Sequence, residues 1–169
     1  MKTRKVTDFK RDLYLRVIRP LVQAYLAFHR LGSRHIEKLR VTPSQFDVLA
    51  ELGDTPGLTC ADLSDATLIT KGTLTGVLDR LEAKGLLQRI GVDSDRRAIR
   101  VRLTAKGETL YQKIFPAHGD FLRGYLKDAF SPRDIVTLQA QLCLLRDSFK
   151  EREAGRSETK RKMRNGKTR

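Results

Sequence analysis

The 169-residue chain has no tryptophan, only two cysteines and two methionines, and only three histidines. Cys60 and Cys143 lie in different segments and lack metal-ligand spacing, which argues against a disulfide framework and for two reduced thiols. His29, His35 and His118 form no metal triad with one another or with the acidic residues, and no nucleophile elbow or phosphate loop occurs. An enzyme is therefore not expected, and neither a metal nor a cofactor is called for. No apolar run approaches the ~18 residues that a membrane span needs. Met1-Lys2-Thr3-Arg4-Lys5 leads into a polar stretch rather than the apolar core of a signal peptide. A cytoplasmic protein that does not engage a membrane is expected.

Acidic side chains are also scarce. The chain carries 34 Lys and Arg against 20 Asp and Glu, a net charge of +14. A surplus of that size makes a phosphate polyanion or an acidic membrane surface the natural partner, and charge alone does not choose between them. Residues 150–169 hold nine Lys or Arg against three Glu, so +8 of the charge belongs to the body of the chain. Hydrophobic residues reach 40% but aromatics only 7%, enough for a globular domain with few large anchors. Part of the apolar surface is expected to be buried between subunits.

Apolar residues recur at helical spacing from Asp8 to about Lys38, through Tyr14, Ile18, Leu21, Tyr25 and Phe28. Pro20 removes a backbone donor and predicts a kink or a break into two pieces near Arg19. Thr42-Pro43-Ser44-Gln45 has the capping-box pattern and opens a helix carrying Phe46, Leu49 and Leu52 as far as Gly53. Thr59-Cys60-Ala61-Asp62 repeats that pattern and opens a short helix to about Ala66. After Thr67-Leu68-Ile69, Thr70 can cap a helix with Leu74, Val77, Leu78 and Leu81 on one face, ending at Gly85. Two short helices so joined make a helix-turn-helix.

Beyond Gly85 the period changes. Leu86 to Ile90 is extended, and Ile99, Val101 and Leu103 alternate with Arg100 and Arg102, predicting a hairpin wing with its tip at Asp93-Ser94-Asp95-Arg96-Arg97. Thr104 starts a helix to about Phe130, with Pro116 and Gly119 as irregularities. Ser131-Pro132-Arg133-Asp134 opens a last helix striped by Ile135, Leu138, Leu142, Leu145 and Phe149. The fold class is mainly α with a small β-hairpin wing: a winged helix-turn-helix domain plus a helical dimerisation region.

A major groove admits one helix, read by side chains near its start that face away from the core. Those are Thr70, Lys71, Thr73 and Thr75. Gly72 beside them allows close backbone approach at a cost of about 1 kcal/mol in helix propensity. Thr70 serves equally as a plain cap and Lys71 as a solvated charge. Arg96 and Arg97 can enter the narrow minor groove beside the helix, or brace the turn against Asp93 and Asp95.

The stretch Leu78-Asp79-Arg80-Leu81-Glu82-Ala83-Lys84-Gly85-Leu86, followed by Asp93-Ser94-Asp95-Arg96-Arg97 and Leu103-Thr104-Ala105-Lys106-Gly107, resembles the MarR family of bacterial transcription regulators. The resemblance in helix layout covers roughly residues 8–149. It implies a homodimer in which residues 8–40 and 104–149 form dimerisation helices, with Leu15, Ile18, Ile135, Leu138, Leu142 and Leu145 between subunits. It implies a winged DNA-binding lobe at 43–103 that reads a palindromic double-stranded operator. A basic, structureless tail at 150–169 follows. The family usually represses, and a small aromatic or anionic effector, or a redox signal, releases many members from DNA. Tyr25, Phe28, His29 and Phe46 are the candidates for such a pocket, although aromatic residues at this spacing also suit a core. The lack of Trp sets the chain apart from the urate-responsive branch. Cys60 sits at a helix start that could lower a thiol pKa, or is simply a small buried residue. A winged helix of architectural or RNA-directed role is the rival reading, but the wing lacks the aromatic platforms of single-strand binders.

Overall fold

The computed structural model describes residues 12–165 apart from Leu68, Asp93 and Ser94, and side chains at 92–98 and 153–165 fall outside that description. Among the described residues the first helix, α1, spans Ile18–Lys38 and follows turns at residues 13–17. Pro20 therefore lies in its first turn and not at a kink, and the helix starts beside the position where a break was the other expectation. The N–H groups there have no intrahelical acceptor, so proline's missing donor costs nothing.

Both predicted capping boxes form. In α2 (Pro43–Leu52), the Gln45 N–H donates to Thr42 Oγ1 at 3.3 Å, and the Thr42 N–H donates to the Gln45 side chain at 3.2 Å. In α3 (Cys60–Ala66), the Asp62 N–H donates to Thr59 Oγ1 at 3.1 Å, and the Thr59 N–H returns to the Asp62 carboxylate at 3.0 Å. Hydrogen bonds from the Thr59 hydroxyl and backbone hold the Asp62 carboxyl below its ordinary pKa.

Helix α4 spans Lys71–Ala83 and closes in a Schellman motif at Gly85, φ 67°. The Leu86 N–H reaches the Leu81 carbonyl at 3.0 Å and the Gly85 N–H the Glu82 carbonyl at 2.8 Å. Strands β2 (Leu87–Val92) and β3 (Asp95–Leu103) form the antiparallel wing. A two-residue strand, β1 (Leu58–Thr59), joins as the far edge, giving the order β1-β3-β2. No strand is expected there from the sequence, because two residues carry no periodicity. It pairs Leu58 with Val101, whose side chain is wholly buried. Ile99, expected to face inward with Val101, is half exposed because the β1 ladder ends at Arg100.

Phe46, Leu49, Leu52, Leu63, Leu74, Val77, Leu78 and Leu81 meet Leu87 and Val101 in one buried cluster. Three helices and the sheet thus share a core, which removes apolar surface at roughly 25 cal/mol per Å². Helix α5 (Ala105–Ala129) runs unbroken through Pro116 and Gly119, where irregularities were expected. Pro116 is exposed, so water can satisfy the carbonyl it orphans.

Helix α6 spans Pro132–Asn165 and starts on Ser131, whose Oγ accepts from the Asp134 N–H at 3.3 Å. It does not stop near 149: the segment expected to be structureless is helical to Asn165. Lys, Arg, Glu and Ala are good helix formers, so a run without apolar residues still extends a helix already nucleated. The chain divides into two compact units at Leu122/Arg123, a boundary that falls inside α5. Among the described residues, no helix is long and apolar enough to cross a membrane.

Candidate nucleic-acid interface

Helix α4 sorts its residues by face. Leu74, Val77, Leu78 and Leu81 are at most 3% exposed, whereas Thr70, Lys71, Gly72, Thr73 and Thr75 are all exposed. All four predicted base-reading side chains therefore lie together on the open start of one helix. Thr70 occupies the N-cap position, but its hydroxyl caps no backbone N–H. It lies 3.1 Å from the Thr73 hydroxyl instead. The plain-cap reading of Thr70 does not describe this helix. An added Cβ at Gly72 meets nothing within 4 Å, so the protein's own packing does not require glycine there. The helix start also presents the positive end of its dipole, which favours phosphate.

The wing is tied to this helix through Arg89 on β2. Its backbone N–H donates to one Glu82 carboxylate oxygen at 3.2 Å, its guanidinium donates to the other, and Nη2 reaches Asp79 Oδ1 at 2.6 Å. Partial burial opposes the Arg89 charge, but the hydrogen bonds and charges of Asp79 and Glu82 outweigh it and hold the guanidinium above its ordinary pKa. Sequence reasoning missed this clamp, although two acids three residues apart on α4 were its signal. Arg96 and Arg97 belong to β3, and their side chains fall outside the described residues, as do Asp93 and Ser94.

A second joint fixes the far end of α4. The Thr104 hydroxyl donates to the Gly85 carbonyl at 2.6 Å and accepts from the Gly107 N–H at 3.1 Å, while Lys106 Nζ reaches the Lys84 carbonyl at 2.8 Å. The Leu103-Thr104-Ala105-Lys106-Gly107 motif is thus a weld between α4 and α5. A methyl at Gly107 would overlap the Leu86 carbonyl oxygen.

The four predicted ligand residues do not gather. Tyr25 and His29 meet each other at 5.9 Å between ring centroids, and both are exposed, as is Phe28. Phe46 is buried against His118 (4.9 Å) and Phe115 (6.3 Å) of α5. His35 stacks on Phe121, and its Nδ1 lies 3.0 Å from His118 Nδ1. Burial first, and His35 second, push the His118 pKa below its ordinary value.

Of the predicted dimerisation residues in the first unit, Leu15 and Ile18 are 36% and 51% exposed. In the second unit, Ile135, Leu138 and Leu142 line a groove of about 500 Å³ with Leu126. Leu145 is half-buried on the same helix. Cys60 is exposed, so the buried-residue reading of it does not hold. Among the described residues, no three metal-ligating side chains converge.

Residues 41–98 match the family model described as MarR family. The HTH-type transcriptional regulator PecS of Dickeya dadantii is 31% identical over 129 residues, covering 75% of this chain and 77% of that protein. A variant of E. coli MarR crystallised with operator DNA superposes with a TM-score of 0.65 at 27% identity, over 78% of this chain and 96% of that one. BpsR of Bordetella bronchiseptica, whose DNA binding is described as regulated by 6-hydroxynicotinic acid, gives a TM-score of 0.65 at 28% identity, over 75% of this chain and 96% of that one. Likeness in sequence and in fold thus runs well beyond the short motifs, and the chain belongs to the MarR family of helix-turn-helix transcriptional regulators.

Proposed function

We propose that this protein is a homodimeric repressor that binds a palindromic operator in double-stranded DNA and is released by a small aromatic or anionic effector. The observation that carries the reading is the start of α4, where Thr70, Lys71, Thr73 and Thr75 stand exposed while the same helix buries Leu74, Val77, Leu78 and Leu81. Threonine hydroxyls and methyls suit base edges, and Lys71 suits a guanine edge or a phosphate. Arg96 and Arg97, at the wing, supply minor-groove or backbone contacts. A net charge of +14 provides the sequence-independent part of the affinity. The operator-bound E. coli relative and the ligand-regulated BpsR support the two halves of the reading.

The second copy is assigned to the apolar residues left open. Leu13, Tyr14 and Ile18 near the start of α1 are 72%, 85% and 51% exposed, and Leu144 and Phe149 of α6 are 72% and 59% exposed. Such patches mark interfaces rather than free surface.

Selection of bound duplexes from a random DNA library at near-physiological salt tests the proposal. A palindrome with half-sites about one helical turn apart is expected. Tight binding without a recovered motif would favour the architectural or RNA-directed role instead.

A further inference from the structure

His35 of α1 and His118 of α5 approach each other through the same ring nitrogen, Nδ1 to Nδ1, at 3.0 Å. Two bare nitrogens do not bond, so one ring holds a proton there and the other accepts it. Burial first, and the charge of His35 second, disfavour a proton on His118, which makes His35 the donor. A first added proton goes to the remote Nε2 of His35 and leaves the hydrogen bond in place, now charge-assisted. A second can only go to Nδ1 of His118. Two N–H groups on two cations would then face each other across 3.0 Å.

Three helices enclose the pair. An added Cβ at Gly32 of α1 would lie 3.6 Å from Cε1 of His118, Phe46 of α2 meets the same ring edge-on at 4.9 Å, and Phe121 of α5 stacks on His35 at 4.0 Å. His118 is 7% exposed. One turn to either side of it on α5 stand Ile114, Phe115, Phe121 and Leu122, none of which is charged. Asp120, two residues on, is exposed on a different side of that helix. On α1, Lys38 is one turn from His35 and adds to any repulsion. On α2, Asp47 acts with its own neighbour Glu51 and with His29 of α1. The charge that acts on His118 is that of His35.

We propose that the His35–His118 pair is an acid-operated latch: a proton shared between the rings holds α1 on α5, and protonation of both rings parts the two helices and weakens the hold on the operator. The position of the pair gives the parting its effect. Phe46, against which His118 rests, belongs to the buried core that also holds α4. The start of α1 carries Ile18 among the exposed apolar residues assigned above to the second copy. The latch therefore joins the helix that meets the partner to the lobe that meets DNA, and releasing it frees one to shift against the other. The effect on the operator rests on the operator reading, whereas the latch itself rests on the two rings and their surroundings.

Hydrogen exchange of the full-length protein at pH 7 and pH 5, read at the amides of residues 31–39 and corrected for the intrinsic rate, tests the latch. The expected result is about a tenfold loss of protection on acidification in the parent. His35→Asn should abolish that loss, because its amide stands where Nδ1 stood, can donate to His118 or, turned over, accept from it, and takes no proton. His118→Phe, which keeps a ring against Phe46, should abolish it as well. His29→Asn removes the third histidine and should respond as the parent does. Affinity for the selected operator should fall about tenfold over the same pH range in the parent and in His29→Asn, and stay within about twofold in His35→Asn. Failure to recover an operator at pH 7 would count against the operator reading alone and leave the exchange result to decide. Unchanged protection in the parent, equal loss in the parent and His35→Asn, a loss abolished by His29→Asn, or parallel operator affinities in the parent and His35→Asn would overturn the latch.

Discussion

Glu82, in the last turn of α4, accepts from both the backbone N–H and the guanidinium of Arg89, so a single carboxylate fixes the position and the side chain of the first wing strand. Arg89 and Glu82 retain 26% and 38% side-chain exposure, which keeps the pair in the range of partly screened interactions. Glu82→Gln should lower stability by about 1 kcal/mol, and a double-mutant cycle with Arg89→Gln should give a coupling of similar size. Urea denaturation measures both. Additive single effects would show that the clamp contributes no coupling.

Two glycines should respond in opposite ways to alanine. Gly107→Ala drives a methyl into the Leu86 carbonyl, and a backbone neighbour cannot step aside, so a loss of about 2–4 kcal/mol is expected. Gly72→Ala meets open space and should raise stability by up to about 1 kcal/mol. Under the operator reading it should nevertheless weaken DNA binding. A stabilised Gly72→Ala with unchanged operator affinity would mean that DNA does not approach this backbone.

Lys71→Ala and Thr73→Ala are expected to weaken binding to the selected operator by about 1–3 kcal/mol each, with little effect on unrelated duplexes. Arg96→Ala should weaken both kinds of duplex more evenly and reduce the salt slope by about one. Fluorescence anisotropy at several salt concentrations separates the two patterns. Unchanged operator affinity in all three variants would contradict the groove assignment.

The His35–His118 pair predicts a pH dependence of stability. Burial lowers the folded-state pKa of His118 from 6.5, so below that value the unfolded chain takes up a proton that the folded chain refuses. The stabilising contribution is present above pH 6.5 and is lost as pH falls through the lower folded value. The melting temperature should therefore drop from pH 7 toward pH 5, and less steeply in His118→Phe, which keeps an aromatic ring against Phe46. Identical slopes would exclude His118 as the source.

Removal of residues 151–169 should reduce affinity for random-sequence DNA and flatten its salt dependence, because most of a +6 segment is lost. Sedimentation should still find a dimer. A monomeric product would mean that the distal turns of α6 take part in association.

Much of this architecture was legible because its signals are local. Thr42 with Gln45, Thr59 with Asp62, and Gly85 after an apolar stripe each announce a helix end within four residues, and the structure makes those bonds. What escaped the sequence lies across elements. Arg89 reaches carboxylates seven and ten residues back through a change of secondary structure, and His35 meets His118 across 83 residues. The family resemblance groups Phe46 with Tyr25, Phe28 and His29 as pocket candidates, but packing against α5 decides its neighbours. Residues 150–165 misled by composition, since a lack of apolar residues speaks against a core and not against a helix.

The weld at Thr104 and Lys106 ties α5 to one end of α4, and Leu74, Val77, Leu78 and Leu81 pack the rest of that helix into the core, so helix and core turn about the joint as one body. Thirteen residues rising 1.5 Å each place Lys71 about 20 Å from that joint. A tilt of about 10° at the joint then carries the tip by about 3.4 Å, the rise of one base pair. Under the operator reading, whatever turns the hydrogen bonds from Thr104 to Gly85 and from Lys106 to Lys84 would carry the whole lobe with it, and Lys71 by about one step of the duplex, without any change inside the core.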